Sequence, residues 1–148
     1  MIRNGLLIVG GTLSAAAALA HLAVIVGGPR WHRFFGAGEG FARAAERGEL
    51  RPAIITLFVA GILAIWAAYA FSGAGLIRPL PLLRTALVAI SAIYVARGLV
   101  IFFPQMLGRP DLSSTFLLWS SLIVLTIGLL YAFGTLQAWS SLSQGTTN

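Results

Sequence analysis

Four apolar stretches, each long enough to cross a lipid bilayer, constrain this chain more than any other feature. They cover about 5–28, 52–72, 80–103 and 113–137, and none of them contains Asp or Glu. A transmembrane helix needs about 20 apolar residues to span the hydrocarbon of a bilayer. The sequence therefore predicts an all-α fold: one integral membrane domain over 1–148, built as a four-helix transmembrane bundle.

Composition points to lipid as the solvent of this chain. Hydrophobic residues make up 58% of the sequence and charged residues 9%, whereas soluble domains carry about 25% charged residues. A soluble chain of this composition would have too few polar side chains to cover its surface. The sequence thus indicates a membrane protein before any motif is considered.

The basic residues exclude several kinds of chemistry. All ten are Arg, and both Lys and Cys are absent. Without Lys no Schiff base can form, and without Cys there is no disulfide exchange, thiolate metal site or c-type haem attachment. Apart from Arg97, the arginines lie near predicted helix ends and in one loop, which membrane topology and lipid headgroups explain. We therefore predict no cofactor and no nucleic-acid partner. The Arg-, Ala- and Gly-rich usage is typical of a bacterial, GC-rich genome.

The first apolar stretch has two interpretations. Its beginning, which ends in Ala18-Leu19-Ala20, is similar to a signal peptide with a cleavage site. The apolar run continues through Val26, so a retained transmembrane helix is favoured.

The distribution of arginines predicts an orientation. We call the face that bears the N-terminus side A and the opposite face side B. Side A would carry three arginines, Arg3, Arg78 and Arg84. Side B would carry six, namely Arg30, Arg33, Arg43, Arg47, Arg51 and Arg109. The positive-inside rule then predicts a cytoplasmic first loop in a bacterial inner membrane. Trp31 on side B, and Tyr131 and Trp139 towards side A, fit interfacial aromatic belts.

The first loop is predicted to form an amphipathic helix over about 31–48. Glu39 and Arg43 are spaced as a favourable ion pair, with Glu46 on the same face. Phe34, Phe41 and Ala45 share another face. Two interpretations stay open: an interfacial helix held by Phe rings and arginine–phosphate contacts, or a lid that carries Glu39 over a polar pocket.

Polar side chains of all four predicted spans fall at a similar depth towards side B. At 1.5 Å per residue, His21 and Arg97 lie roughly 9 Å below the side-B boundary. This layer, with Tyr94 one turn deeper than Arg97, is our candidate ligand-binding site; its members are His21, Thr56, Tyr94, Arg97, Ser120 and Ser121, with Glu39 above them. Ionisable residues inside a membrane are costly and are therefore functional candidates.

A buried Arg97 needs a partner, and the spans offer no carboxylate. We expect Glu39 from the loop, or else an anionic ligand; Glu46, Glu49 and Asp111 are further candidates, and Gln105 lies near the rim. A purely structural interpretation remains open, in which Arg97 snorkels to headgroups and the hydroxyls bond their own helices. A metal site formed by His21, His32 and Glu39 is geometrically possible, but no metal is predicted.

The run Gly-Pro-Arg-Trp-His-Arg-Phe-Phe-Gly-Ala-Gly-Glu at 28–39 resembles an uncharacterised family of small four-helix bacterial inner-membrane proteins. The resemblance covers most of the chain through the third span. It implies an inner-membrane protein and carries no function.

Two other families are similar in size and helix number. Small multidrug transporters rely on an acidic residue in the first helix, which this chain lacks. The membrane-associated eicosanoid and glutathione metabolism family also has a polar first loop. That resemblance implies a homotrimer that binds glutathione between subunits, with Arg33, Arg43 and Glu39 answering to its loop residues. The Asn that this family also uses has no counterpart between Asn4 and Asn148.

Three functions follow as hypotheses. The first is binding of a lipid or amphipathic small molecule, with Arg97 holding its polar head. The second is a structural or assembly subunit, docked through the Arg-rich loop. The third is an intramembrane enzyme, with His21 as general acid or base, Arg97 as charge stabiliser and Glu39 orienting His21. Membrane lipids are the predicted partners, and a homo-oligomer is possible.

Overall fold

The computed structural model describes residues 3–36, 38–103 and 114–143, and the side chains of 114 and 143 are excepted. Within these ranges the regular structure is entirely helical, which confirms the all-α prediction. The helices are α1 (Gly5–Phe34), α2 (Glu39–Glu46), α3 (Arg51–Gly73), α4 (Leu83–Leu99), α5 (Ser114–Gln137) and α6 (Trp139–Ser143), with a 3-10 turn (Val100–Phe102) after α4.

The long helices α1, α3, α4 (with its 3-10 turn) and α5 are apolar enough and long enough to cross a membrane. They form an up-and-down bundle in which α1 packs most extensively with α3, and α4 with α5. The two pairs meet where α1 contacts α5 and α3 contacts α4. Each long helix therefore has two neighbours and leaves an outer face to lipid.

Glycines allow α4 and α5 to approach closely. A Cβ added at Gly98 would lie 2.6 Å from the Cβ and 2.7 Å from the Cα of Leu125. A Cβ added at Gly128 would lie 2.8 Å from the backbone nitrogen of Val95. In lipid, where burial of apolar surface drives little helix association, such backbone-to-backbone packing is a principal source of stability.

The amphipathic helix of the first loop is confirmed, but it covers Glu39–Glu46 rather than the predicted 31–48. Backbone angles at Gly28 (φ 66°, ψ −151°) interrupt α1, and a final helical turn follows to Phe34. Positive φ values at Gly36 (68°) and Gly38 (92°) then separate this turn from α2. Glycine adopts these angles without strain, so the loop folds back in two short pieces.

Two further features differ from the sequence prediction. The third span was predicted to start near residue 80, but α4 begins at Leu83 because Pro79, Pro81 and the left-handed Leu82 (φ 52°) precede it. The short helix α6 was not predicted. Gln105, Arg109 and Asp111 lie outside the described residues.

Candidate functional site

A cluster of polar groups lies in the core of the bundle and joins all four long helices. The Ser14 hydroxyl on α1 lies 2.8 Å from the hydroxyl of Tyr94 on α4 and 2.9 Å from that of Tyr131 on α5. The Tyr131 hydroxyl donates a hydrogen bond of 3.0 Å to the carbonyl of Trp66 on α3. We call these four residues the hydroxyl node.

The node's hydrogen bonds run in one direction. Tyr131 has a single hydroxyl proton, and it goes to the Trp66 carbonyl. Ser14 must therefore donate to Tyr131 and accept from Tyr94. Aromatic contacts join the same residues: the centroid of the Tyr94 ring lies 4.8 Å from that of Trp66 and 5.4 Å from that of Tyr131. Every hydroxyl proton is used, so the node is a structural network rather than an open site.

The sequence interpretation found only one member of this node. Tyr94 was predicted to be a pocket residue, whereas Ser14 was not among the predicted site residues. Tyr131 was predicted to belong to the side-A aromatic belt, and this is wrong, because its side chain is completely buried. A hydroxyl on the inward face of α1, with tyrosines on two other spans, was the signal that could have predicted the node.

Arg97 is the ionisable residue of the predicted side-B layer on α4. It is half-buried, and its Nη1 donates a long hydrogen bond of 3.5 Å to the Ser121 hydroxyl on α5. Across the described ranges no carboxylate lies within ion-pair distance of its guanidinium. Of the predicted layer, the structure thus joins Arg97 to Ser121 and leaves the charge of Arg97 without a described counter-ion.

Among the other members of the layer, His21 and Ser120 form hydrogen bonds within their own helices. His21 Nδ1 lies 2.8 Å from the carbonyl of Ala17 in its own helix. This nitrogen must carry a proton, since a carbonyl only accepts. The Ser120 hydroxyl donates to the Leu117 carbonyl at 3.3 Å, and Thr56 is buried on α3.

Glu39 was predicted to pair with Arg97 and, in the enzyme hypothesis, to orient His21. Instead, its carboxylate lies in a separate ion-pair cluster. Arg33 donates to both of its carboxylate oxygens at 3.0 Å, and Arg43 donates to one at 3.2 Å. Arg33 also contacts Glu46 at 2.8 Å. The expectation failed because arginines within a few residues reach Glu39 before a buried one can. Hydrogen bonds from Arg33, and then Arg43, lower the pKa of Glu39 to about 2.

His32 has an environment that the sequence did not indicate. It is buried beneath α2, with its ring 6.3 Å from that of Phe41, and its Nδ1 has no hydrogen-bond partner among the described atoms. The structure does not bring His21, His32 and Glu39 together: no group of three His, Asp or Glu residues in the described ranges could hold a metal ion.

An apolar groove of about 710 Å³ runs along the outer face between α1 and α3. Small side chains form its floor, among them Ala15, Ala18, Ala60, Ala64 and Ala67. None of its lining residues has a polar side chain. The groove fits hydrocarbon, and it lies apart from Arg97, because neither α4 nor α5 contributes to it.

The chain matches no family model, no curated protein and no solved structure. The resemblances drawn from the first loop and from the four-helix plan therefore remain predictions.

Proposed function

We propose that this protein binds the anionic head of a lipid or another amphipathic small molecule at the side-B end of its bundle. Arg97 would hold the head, with Ser121 as a neighbouring hydrogen-bond donor. The observation that carries this proposal is the half-buried guanidinium of Arg97, which has no carboxylate within ion-pair distance among the described residues.

The distribution of acids supports an external anion. The chain has four acidic residues, and three of them, Glu39, Glu46 and Glu49, pair with loop arginines. An uncompensated charge in a medium of low dielectric is costly. An anionic head delivered from the side-B leaflet would remove that cost and form charge-assisted hydrogen bonds with the planar guanidinium.

The natural location for this activity is a bacterial inner membrane with side B facing the cytoplasm. Six of the ten arginines belong to side B by sequence, and the described ones cluster around α2. The acidic lipids of a cytoplasmic leaflet would also supply suitable ligands.

Native mass spectrometry of the gently solubilised protein tests the proposal. We would compare wild type with Arg97→Gln, and use Arg78→Gln, an exposed side-A arginine, as the control with the same change of charge. Palmitate and hexadecyl phosphate serve as carboxylate and phosphate probes. We expect Arg97→Gln to weaken binding of at least one probe roughly tenfold or more, as for loss of a charged hydrogen bond, and Arg78→Gln to leave it unchanged. Equal binding by all three proteins would refute the proposal.

An assembly subunit is the second candidate function, and the apolar groove favours it. Small-residue surfaces of this kind allow a foreign helix to pack closely. The mass experiment separates the two functions, because an assembly subunit would show protein complexes and no bound probe that depends on Arg97. An intramembrane enzyme is less well supported, since Glu39 is held by Arg33 and Arg43 rather than by His21.

A further inference from the structure

The break at Gly28 redirects the chain at the side-B end of α1 and exposes a group of aromatic rings. Trp31, Phe34 and Phe35 have exposed fractions of 44%, 77% and 42%. The Phe35 ring lies 5.8 Å from the Trp31 ring and 5.1 Å from the Phe34 ring, centroid to centroid. We call residues 29–36, α2 and the connection to Arg51 the side-B collar. Its rings are in mutual contact and form one exposed apolar ridge.

The collar's carboxylates are all engaged by arginines of the collar itself. Glu39 and Glu46 pair with Arg33, and Glu49 lies 2.7 Å from Arg47. These pairs are exposed and contribute little to stability. They matter here because they prevent the acids from neutralising the remaining arginines.

Two arginines of the collar keep an uncompensated charge. Arg30 and Arg51 are exposed, and no carboxylate in the described part of the chain lies within ion-pair distance of either. Arg30 directly precedes the ridge, and Arg51 opens α3 just after the exposed Leu50. The collar therefore combines exposed apolar rings with guanidinium groups that have no carboxylate partner among the described residues.

We propose that the side-B collar binds the acidic phospholipid headgroups of the side-B leaflet, with phosphates on Arg30 and Arg51 and the rings of the ridge among the upper acyl chains. Basic residues beside a membrane attract anionic lipids, and aromatic rings favour the headgroup level. The proposal needs only that the bundle spans a membrane, and it does not depend on ligand binding at Arg97.

Quenching of Trp31 fluorescence by brominated lipids gives a local measurement. The protein is placed in nanodiscs of phosphatidylcholine with a minor fraction of phosphatidylglycerol, and bromine is carried by the acyl chains of one lipid or the other. Subtracting the signal of Trp31→Phe isolates Trp31 from the other tryptophans. We expect phosphatidylglycerol at Trp31 to be enriched roughly threefold over its bulk fraction, in keeping with the attraction of acidic lipids by membrane-surface arginines.

The double variant Arg30→Gln/Arg51→Gln tests the assignment. It should lower the enrichment to about one, the value for random mixing. Arg3→Gln/Arg78→Gln removes the same charge from two exposed side-A residues and should leave the enrichment intact. High salt should also reduce it.

Three results would overturn the proposal. The first is equal enrichment of both lipids around wild-type Trp31. The second is an enrichment that survives Arg30→Gln/Arg51→Gln. The third is the absence of Trp31 quenching by either lipid, which would show that the ridge is covered by protein and would indicate a protein partner instead.

Discussion

The hydroxyl node and the side-B layer around Arg97 differ in how many of their polar groups have hydrogen-bond partners. In the hydroxyl node, Ser14, Tyr94 and Tyr131 use every hydroxyl proton within 3.0 Å. At the side-B level, Arg97 has one bond of 3.5 Å to Ser121, and His21 bonds only its own helix. Polar groups inside a membrane are costly wherever they lie. The closed network fits a structural role, whereas the guanidinium of Arg97, unpaired with any described carboxylate, is the group on which the proposed ligand binding rests.

Removal of the Tyr131 side chain should be the most damaging change, because it empties the centre of the node. We expect Tyr131→Ala to lower the free energy of unfolding by roughly 3 kcal/mol or more, as for other large buried aromatic residues. Reversible unfolding in mixed micelles measures this loss. Phe133→Ala is the control on the same helix, since Phe133 is 56% exposed. Similar losses for the two variants would show that Tyr131 has no special place in the core.

The helices near Arg97 can pack tightly even though the polar groups there form few hydrogen bonds. A substitution at Gly98 tests the packing of α4 against α5 by itself. Gly98→Ala forces a Cβ into the Leu125 backbone and should destabilise the bundle by about 1–3 kcal/mol, as overpacking does. Gly61→Ala is the matched control, because a Cβ there meets nothing within 4 Å. It should be neutral or stabilising, since Ala is the better helix former. A neutral Gly98→Ala would mean that α4 and α5 are not tightly packed here.

Paired serine variants compare the levels directly. Ser14→Ala leaves the Tyr94 hydroxyl without its acceptor and should cost about 1 kcal/mol, within the range found for hydrogen bonds in membranes. Ser121→Ala removes one long bond and should cost less than about 0.5 kcal/mol. The probe-binding assay should show the opposite order, with Ser121→Ala the weaker binder. If both variants lost stability equally, the contrast between the levels would fail.

The smallest effect concerns the side-B collar in acid. Glu39 has a pKa of about 2 in the folded protein against an ordinary value of 4.5, because Arg33 and Arg43 hold its ionised form. Its contribution to stability is thus complete above the ordinary value and is lost as pH falls from about 4.5 towards 2. Glu39→Gln lacks this contribution, so the difference in thermal midpoint between wild type and variant should shrink over that range. A difference that stays constant with pH would exclude the mechanism.

Transmembrane architecture was predictable from this sequence, because span length and composition depend on the bilayer and not on neighbouring helices. Pairings between helices were harder to predict. Ser14 looks like any small residue until α4 and α5 place tyrosines beside it. Glu39 looks like a partner for Arg97 until the turns at Gly36 and Gly38 carry it back to Arg33.

Local backbone chemistry explains the remaining differences. Pro81 and Leu82 delay α4, and the glycines divide the predicted loop helix. In each case a few positions with special backbone angles moved a helix boundary away from the one that the apolar or amphipathic pattern predicted. His32 was missed for a different reason, since only the fold-back of α2 buries it.

The order in which the helices are synthesised determines when the hydroxyl node can form. Ser14 precedes Tyr94 by 80 residues and Tyr131 by 117, so α1 is made and can enter the bilayer while both of its partners are still unmade. Until then its hydroxyl can bond only locally, to a carbonyl of its own helix, as serines in membrane helices do. Once α4 and α5 are in place, the Ser14 hydroxyl can exchange that local bond for its bonds with Tyr94 and Tyr131. The complete node therefore forms only when all four long helices have come together.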